Sequence, residues 1–130
     1  MHFFMAMVPP TVTHHSKKLG KTKSGRPLLF DSDELKAAKS KLAAHLAGHV
    51  PEQPMTGAVA LVVKWCFPIV GEHTDGEWKT SKPDTDNLQK ALKDQMTKLG
   101  FWHDDAQVAC EFIEKHYAAV PGVYVSLTEL

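Results

Sequence analysis

Asp84 and Asp86 stand two residues apart in SKPDTDNLQKALKDQ, just behind Pro83 and just ahead of a helical pattern. A helix cap needs only one carboxylate, so the pair leaves one over. A second acidic pair, Asp104 and Asp105, follows in GFWHDDAQV. Clustered carboxylates repel one another unless a cation sits among them or a proton is taken up. Oxygen-only ligands select hard ions such as Mg²⁺ or Mn²⁺. One or two such ions activate water and stabilise the oxyanions of an in-line attack on a phosphodiester. A nearby lysine, here Lys90, neutralises charge on the transition state. The chain lacks the other common signatures: no D-x-[DN]-x-[DN]-G calcium loop, no H-E-x-x-H and no G-x-x-x-x-G-K-[ST] phosphate loop. The plainer alternative makes one aspartate a cap worth about 1 kcal/mol. Lys90 and Asp94 are then a solvated pair worth a few tenths, and Asp104-Asp105 a turn.

The elements that must position these residues follow from the pattern. Pro83 pushes Lys82 to an extended conformation. If the chain stays extended to Asp86, both aspartates point to one side of it. Asp86 is then the expected N-cap of a helix over 86–99, with Gln89 at the capping-box position and Gly100 as the stop. At ~100° per residue, Leu88, Ala91, Leu92, Met96 and Leu99 gather toward a core, while Asp86, Asn87, Lys90 and Asp94 share the opposite, polar side. That helix is ~20 Å long, whereas five extended residues span at most ~17 Å. Asp104 and Asp105 therefore reach the first pair only if the chain doubles back, anchored by Phe101 and Trp102. Otherwise they serve a site on a partner subunit.

Upstream, HFFMAMV over 2–8 reads as a strand covered on both faces, stopped by Pro9-Pro10. A basic loop follows, HHSKKLGKTKSGR, whose five Lys/Arg residues are matched by no acid. A helix fits DSDELKAAKSKLAAHLAG, capped by Asp31 or Ser32, with Leu35, Ala38, Leu42 and Leu46 as its buried stripe. AVALVVKWCF is a strong strand with Val59, Leu61, Val63, Trp65 and Phe67 on one face. Residues 69–83 read as a loop. QVACEFIEKHY and VYVSLTEL are two further strands, separated by the Pro121-Gly122 turn. The order β-α-β-α-β-β means an α/β domain with a small mixed sheet packed with two helices.

The 130 residues suit one domain spanning 1–130, large enough to bury a real core. No apolar run approaches the ~20 residues of a membrane span. The apolar start lacks a signal peptide's basic residues and cleavage site. The expectation is a soluble, cytoplasmic protein that meets no membrane. Cys66 and Cys110 have no C-x-x-C spacing and read as buried, reduced thiols. Fifteen Lys/Arg balance fifteen Asp/Glu, but the base-rich segment lies early and many of the acids late. That division suits a phosphate backbone held at one place and cut at another.

KPDTDNLQKALKDQMTKLGFWHDDAQV closely resembles the RusA-type Holliday junction resolvases, the crossover-junction endodeoxyribonucleases often carried by phages and prophages. DNLQKA, GFW and DDAQV carry the resemblance, nearly ungapped from Asp84 to Val108; outside that stretch the likeness is loose. It implies a RusA-like fold and a Mg²⁺-dependent homodimer with no organic cofactor, in which Mn²⁺ can substitute. Such a dimer binds four-way junction DNA and nicks two opposed strands symmetrically. By position it implies that Asp84, Asp86 and Asp105 are the essential metal-binding acids, with Asp104 in the same patch and Lys90 beside them. The chain after Pro10 and the run 80–87 match DNA-contacting segments. The expected contacts are Thr11, Thr13, His14, Lys17, Lys18, Lys82 and Asn87. Where the family commonly places asparagine and arginine soon after Pro-Pro, this chain has TVTHHSKK. Two other readings remain: a non-catalytic junction-binding recombination accessory, and a metal-dependent hydrolase of small phosphate compounds.

Overall fold

Four strands form the central sheet: β1 (His2–Met5), β4 (Val59–Pro68), β5 (Val108–Ala118) and β6 (Gly122–Glu129), in the order β1-β6-β4-β5. β2 (Lys17–Lys21) and β3 (Pro27–Asp31) pair antiparallel as a separate ribbon. The helices are α1 (Asp33–Leu46) and α2 (Thr85–Leu99), and short 3₁₀ turns occupy Ala47–His49 and Asp105–Gln107. The computed structural model describes residues 1–11, 17–21 and 27–130, with the backbone alone for 17–21 and 27–31. The expected small mixed α/β sheet with two helices is present. The segment read as a basic loop differs, because part of it is the β2–β3 ribbon. Alternation in the run is weak, so Lys and Gly masked its strand character.

β4 lies at the centre. It pairs parallel with β5 and antiparallel with β6. Its β-branched and aromatic residues alternate as the pattern requires. Val59, Leu61, Val63, Trp65 and Phe67 are buried, and they share one core with Leu42 and Leu46 of α1 and Leu88, Ala91, Leu92 and Met96 of α2. β1 is shorter than the expected 2–8 and alternates: Phe3 and Met5 are buried, His2 and Phe4 exposed. It is covered on one face only. Ser32 caps α1, its hydroxyl accepting from the Leu35 backbone N–H at 3.2 Å. Of the two expected caps, Ser32 is the one at the N-cap position.

The β4–α2–β5 unit sets the geometry of the acidic residues. Gly100 ends α2 in the left-handed conformation, φ 93°, and its N–H donates to the Met96 and Thr97 carbonyls. Phe101 and Trp102 are fully buried, and the Trp102 indole donates to Thr97 Oγ1 at 2.7 Å. These contacts anchor the reversal, as expected. β5 then runs back along α2. Gln89 and Lys93 of α2 both donate to Glu111 (2.8 and 3.1 Å), and Lys115 reaches the chain just before α2.

Candidate functional site

α2 begins at Thr85, one residue earlier than expected, with Asp84 at the N-cap position (ψ 150°). Asp86 is thus inside the first turn, and the extended run that would align it with Asp84 ends before it. Asp84 accepts Leu88 N–H through its backbone carbonyl at 3.1 Å, but its side chain makes no cap hydrogen bond. Its carboxylate instead accepts from the Lys82 ammonium at 2.8 and 2.9 Å. Asp86 is exposed and accepts from its neighbour's backbone, Asn87 N–H, at 3.0 Å. Gln89 takes no part in a capping box. It is 2 % exposed, accepts from the Trp65 indole at 2.9 Å and donates to Glu111 at 2.8 Å. This polar chain ties α2 to the sheet. Sequence spacing missed it because Gln89 falls one residue off the apolar stripe, where only the sheet opposite reveals its partners.

Lys115, on β5, is the residue that sequence reasoning overlooked. Its ammonium donates to the Ser81 carbonyl at 2.6 Å and to the Pro83 carbonyl at 2.7 Å. It therefore clasps the segment that delivers Asp84 to the helix. Burial pushes the Lys115 ammonium below the usual lysine range, the Lys79 charge adds to that, and Asp84 opposes it. A lysine late in a strand carries no local signal for this role, since the partners lie more than 30 residues away in sequence.

Lys90 is half exposed and pairs with Asp94 at 3.2 Å. Asp94 also faces Lys39 of α1 at 3.9 Å. Asn87, expected on the outer polar side, is instead 6 % exposed. Lys82 is well exposed. Thr11 is exposed beside the groove formed by Pro9, Pro10 and α1. Lys17 and Lys18 open β2. Thr13 and His14 lie outside the described residues.

Asp104 and Asp105 sit at the other end of α2. Asp104 caps the 3₁₀ turn, accepting from Ala106 N–H at 2.9 Å, while Gln107 returns the bond to the Asp104 backbone. Asp105 is the half-buried first residue of that turn. From Val108 to Lys115, where β5 meets the Asp84 segment, seven strand steps cover about 23 Å. The length of α2 gives about 22 Å. Within one chain the two acidic pairs are therefore some 20 Å apart. Among the described residues, no three His, Cys, Asp or Glu side chains are placed to hold one metal ion. Of the two arrangements the sequence left open, a gathering of the four acids within one chain is not found among the described residues. The doubling-back happens, but the acids precede the returning strand instead of ending it.

The donor chemistry can still be weighed. Asp84 and Asp86 offer only carboxylate oxygens, the type that hard divalent ions take, and Asp84 is already charge-compensated by an ammonium. Among the described residues, one chain brings two such groups, and no third acid, to a common metal position at this end.

The remaining surface is less specific. Cys66 is buried and burial raises its thiol pKa, whereas Cys110 is exposed on β5. The expectation of two buried thiols fails there because β5 is an edge strand. Among the described residues, no helix is long and apolar enough to cross a membrane.

Comparison with known proteins gives these features a family. The profile of the RusA endodeoxyribonucleases matches residues 8–128. A protein of Lactococcus phage r1t named crossover junction endodeoxyribonuclease rusA is 59 % identical over 70 residues, covering 54 % of this chain and 53 % of the phage protein. The chain thus matches about half the length of that relative. YqaN of Bacillus subtilis, an uncharacterised protein, is 30 % identical over 122 residues, 85 % of each chain. The crossover junction endodeoxyribonuclease RusA of Escherichia coli K12 is 72 % identical over 25 residues, 19 % of this chain and 21 % of the other. The match to the profile runs through nearly every element described above, and on that ground the chain belongs to the RusA endodeoxyribonuclease family.

Proposed function

We propose that this protein is a metal-dependent endodeoxyribonuclease that resolves four-way DNA junctions by paired symmetric nicks, acting as a homodimer with Mg²⁺, or Mn²⁺ in its place. The observation that carries the reading is Asp84. It occupies the N-cap position, yet its carboxylate does not cap the helix and is held outward by a lysine. A carboxylate at an N-cap position that pairs with an ammonium rather than with the helix is matched to charge, as a cation or phosphate site requires. Bound Mg²⁺ supplies an activated water and charge neutralisation at the scissile phosphate. Asp84 and Asp86 would hold it, and Lys90 would offset charge on the phosphate oxygens. Lys82 now balances Asp84. On arrival of a DNA strand, Lys82 would pair with a phosphate and Asp84 would be left to the cation. Lys115 keeps the 81–83 segment in place throughout. Thr11, Thr13, His14, Lys17 and Lys18 contact DNA phosphates, while buried Asn87 supports the first turn of α2.

The third carboxylate comes from a second copy. β5 is an edge strand, and among the described residues only its C-terminal end is bridged, by the segment around Trp78. Antiparallel pairing of the open part with a two-fold mate sets the start of one β5 beside the end of the other. The partner's Asp105 then approaches the Asp84 segment at Lys115. Such a dimer offers two equivalent sites to the two equivalent strands of a junction.

The test is a labelled synthetic four-way junction beside linear duplex, with and without Mg²⁺. Asp84→Asn and Asp105→Asn each abolish nicking while junction binding survives. Mixing the two variants is decisive for the shared site. In a mixed dimer one site carries both substitutions and the other none, so single nicks return. If each site were built within one chain, both would remain dead. Full activity of either variant alone would sink the assignment. One observation favours the non-catalytic reading, namely that Asp104 is committed to capping. A protein that binds junctions but never cuts them with either metal would establish it.

A further inference from the structure

A cavity of about 230 Å³ opens at the C-terminal ends of β4 and β5, on the core-facing side of the sheet. Buried Phe67 and Tyr117 floor it, with Pro68 beside them, and exposed Val8 and Val70 rim it. Thr11 and Lys79 supply its polar groups, and among the described residues no carboxylate lines it. The loop at its side is fixed to the end of β5. Gly76 N–H donates to the Tyr117 carbonyl at 2.8 Å, Tyr117 N–H to the Glu77 carbonyl at 2.9 Å, and Lys79 N–H to the Lys115 carbonyl at 3.0 Å. Asp75 accepts from Ala119 N–H at 2.9 Å, and the His73 ring stacks on Tyr117 at 4.0 Å. The Lys79 ammonium lies over the Phe67 and Tyr117 rings at 5.1 and 5.2 Å and donates to Ser81 Oγ at 2.7 Å. Ring faces and a hydroxyl thus hold this cation at the mouth. Lys115 and Tyr117 are two apart on β5, so their side chains share a face, about 7 Å apart along it. Lys115 clasps the Ser81 and Pro83 carbonyls, which sets the cavity beside the segment that leads into Asp84.

We infer that this cavity receives one unstacked nucleobase of the DNA strand that is cut at Asp84 and Asp86. A base has two apolar faces and a polar edge. The apolar floor and rim suit the faces, while the Lys79 ammonium and the Thr11 hydroxyl suit acceptors on the edge. The size fits as well. The volume falls below the roughly 300–1,000 Å³ of a site for a drug-sized ligand, which leaves room for a single ring system. The distance from Lys115 to Tyr117 matches about two nucleotide steps of ~3.4 Å along one strand. A base reaches the cavity only by leaving its stack, and that costs least where pairing is already broken, as at the centre of a four-way junction. The cavity therefore favours branched DNA over linear duplex at the cutting step. The assignment to a DNA strand rests on the nuclease reading; the affinity for a base does not.

Two measurements test it. The first titrates the protein with each of the four deoxynucleoside 5′-monophosphates and follows the NMR methyl signals of Val8 and Val70. These signals shift with at least one nucleotide and stay in place with inorganic phosphate. The second uses four-way junctions that carry one abasic residue, placed in turn at each position within three nucleotides of the nick. At one position the missing base slows single-turnover nicking about tenfold or more. Val70→Trp, a substitution at an exposed site that closes the mouth, slows nicking of the intact junction by a similar factor. The abasic residue then adds nothing in that variant. Methyl signals that never move, or that move equally with inorganic phosphate, would overturn the base site. Nucleotide shifts with every abasic junction cut at full rate would mean a free nucleotide as ligand and would overturn the strand assignment, as would independent, multiplying effects of the abasic residue and Val70→Trp. If the protein binds junctions without cutting them, the nuclease reading falls and the same comparison is read from junction affinity. A protein that binds no junction DNA at all would overturn the strand assignment together with the nuclease reading, while the nucleotide titration still decides whether the cavity binds a base.

Discussion

Asp84 and Lys115 belong to different elements, yet the second sets where the first can be. The Lys115 ammonium bridges two carbonyls flanking residue 82, so its loss frees the segment before α2. Lys115→Met is expected to lower the nicking rate at least tenfold while junction affinity changes less, measured under single-turnover conditions; Lys115→Arg restores part of the rate. Cysteine chemistry separates the two thiols. Cys110 is exposed, whereas burial holds Cys66 in the protonated, unreactive form. A thiol reagent at pH 8 should modify one cysteine quickly and the second only on unfolding; two fast equivalents would contradict that. Glu129 gives a pH signature. Its carboxylate accepts from the backbone N–H groups of Gly57 and Thr56 at 2.9 and 2.7 Å, which holds its pKa below the usual carboxylate range. A depressed folded pKa adds stability that is present above the unfolded value and lost as pH falls through the folded one. Glu129→Gln should therefore flatten the acid limb of a stability–pH curve and leave its neutral and alkaline parts parallel to the wild type.

At the scale of elements, two glycines hold turns for different reasons. Gly100 closes α2 at positive φ with open space around it. Gly100→Ala should cost about 1 kcal/mol through backbone strain alone. Gly122 opens β6 under Phe4 and Met5. A Cβ there would stand 2.6 Å from the Met5 carbonyl oxygen and 2.1 Å from the Phe4 ring. A flexible ring could turn aside, but the carbonyl belongs to paired backbone. Gly122→Ala should cost 1–3 kcal/mol or more, read from chemical denaturation. The β4–α2–β5 unit was legible as separate elements, because each apolar stripe repeats within a few residues. The ties across it were not. Gln89 and Glu111 have unremarkable neighbours in sequence, and each acquires its meaning only when the strand lies under the helix.

For the whole molecule, the acids at opposite ends of α2 make a second copy part of the proposed site. With β5 paired to its two-fold mate, the two Cys110 side chains lie near the axis. A short thiol-to-thiol crosslinker should capture a covalent dimer, and Cys110→Ser should lose it. A dimer by sedimentation that gives no crosslink would rule out the β5 arrangement and leave the mixed-variant experiment to judge the shared site. Phe112, 57 % exposed on the same strand, is an independent handle. Phe112→Arg should weaken dimerisation and nicking together.

By itself the sequence determined the local facts: the two helices, the strong central strand, the Gly100 stop, and a DNLQKA–GFW–DDAQV pattern that led to the family. Those follow from interactions within a turn or a strand and from residue types that the chemistry demands. The tertiary structure decided what each polar residue faces. It turned Asn87 and Gln95 inward, gave Gln89 to Trp65 and Glu111, and brought Lys115 beneath the Asp84 segment. It also set Asp105 some 20 Å from Asp84, because β5 pairs parallel with β4 and must therefore start at the far end of α2. A spacing along the chain carries no record of that direction; the sheet does.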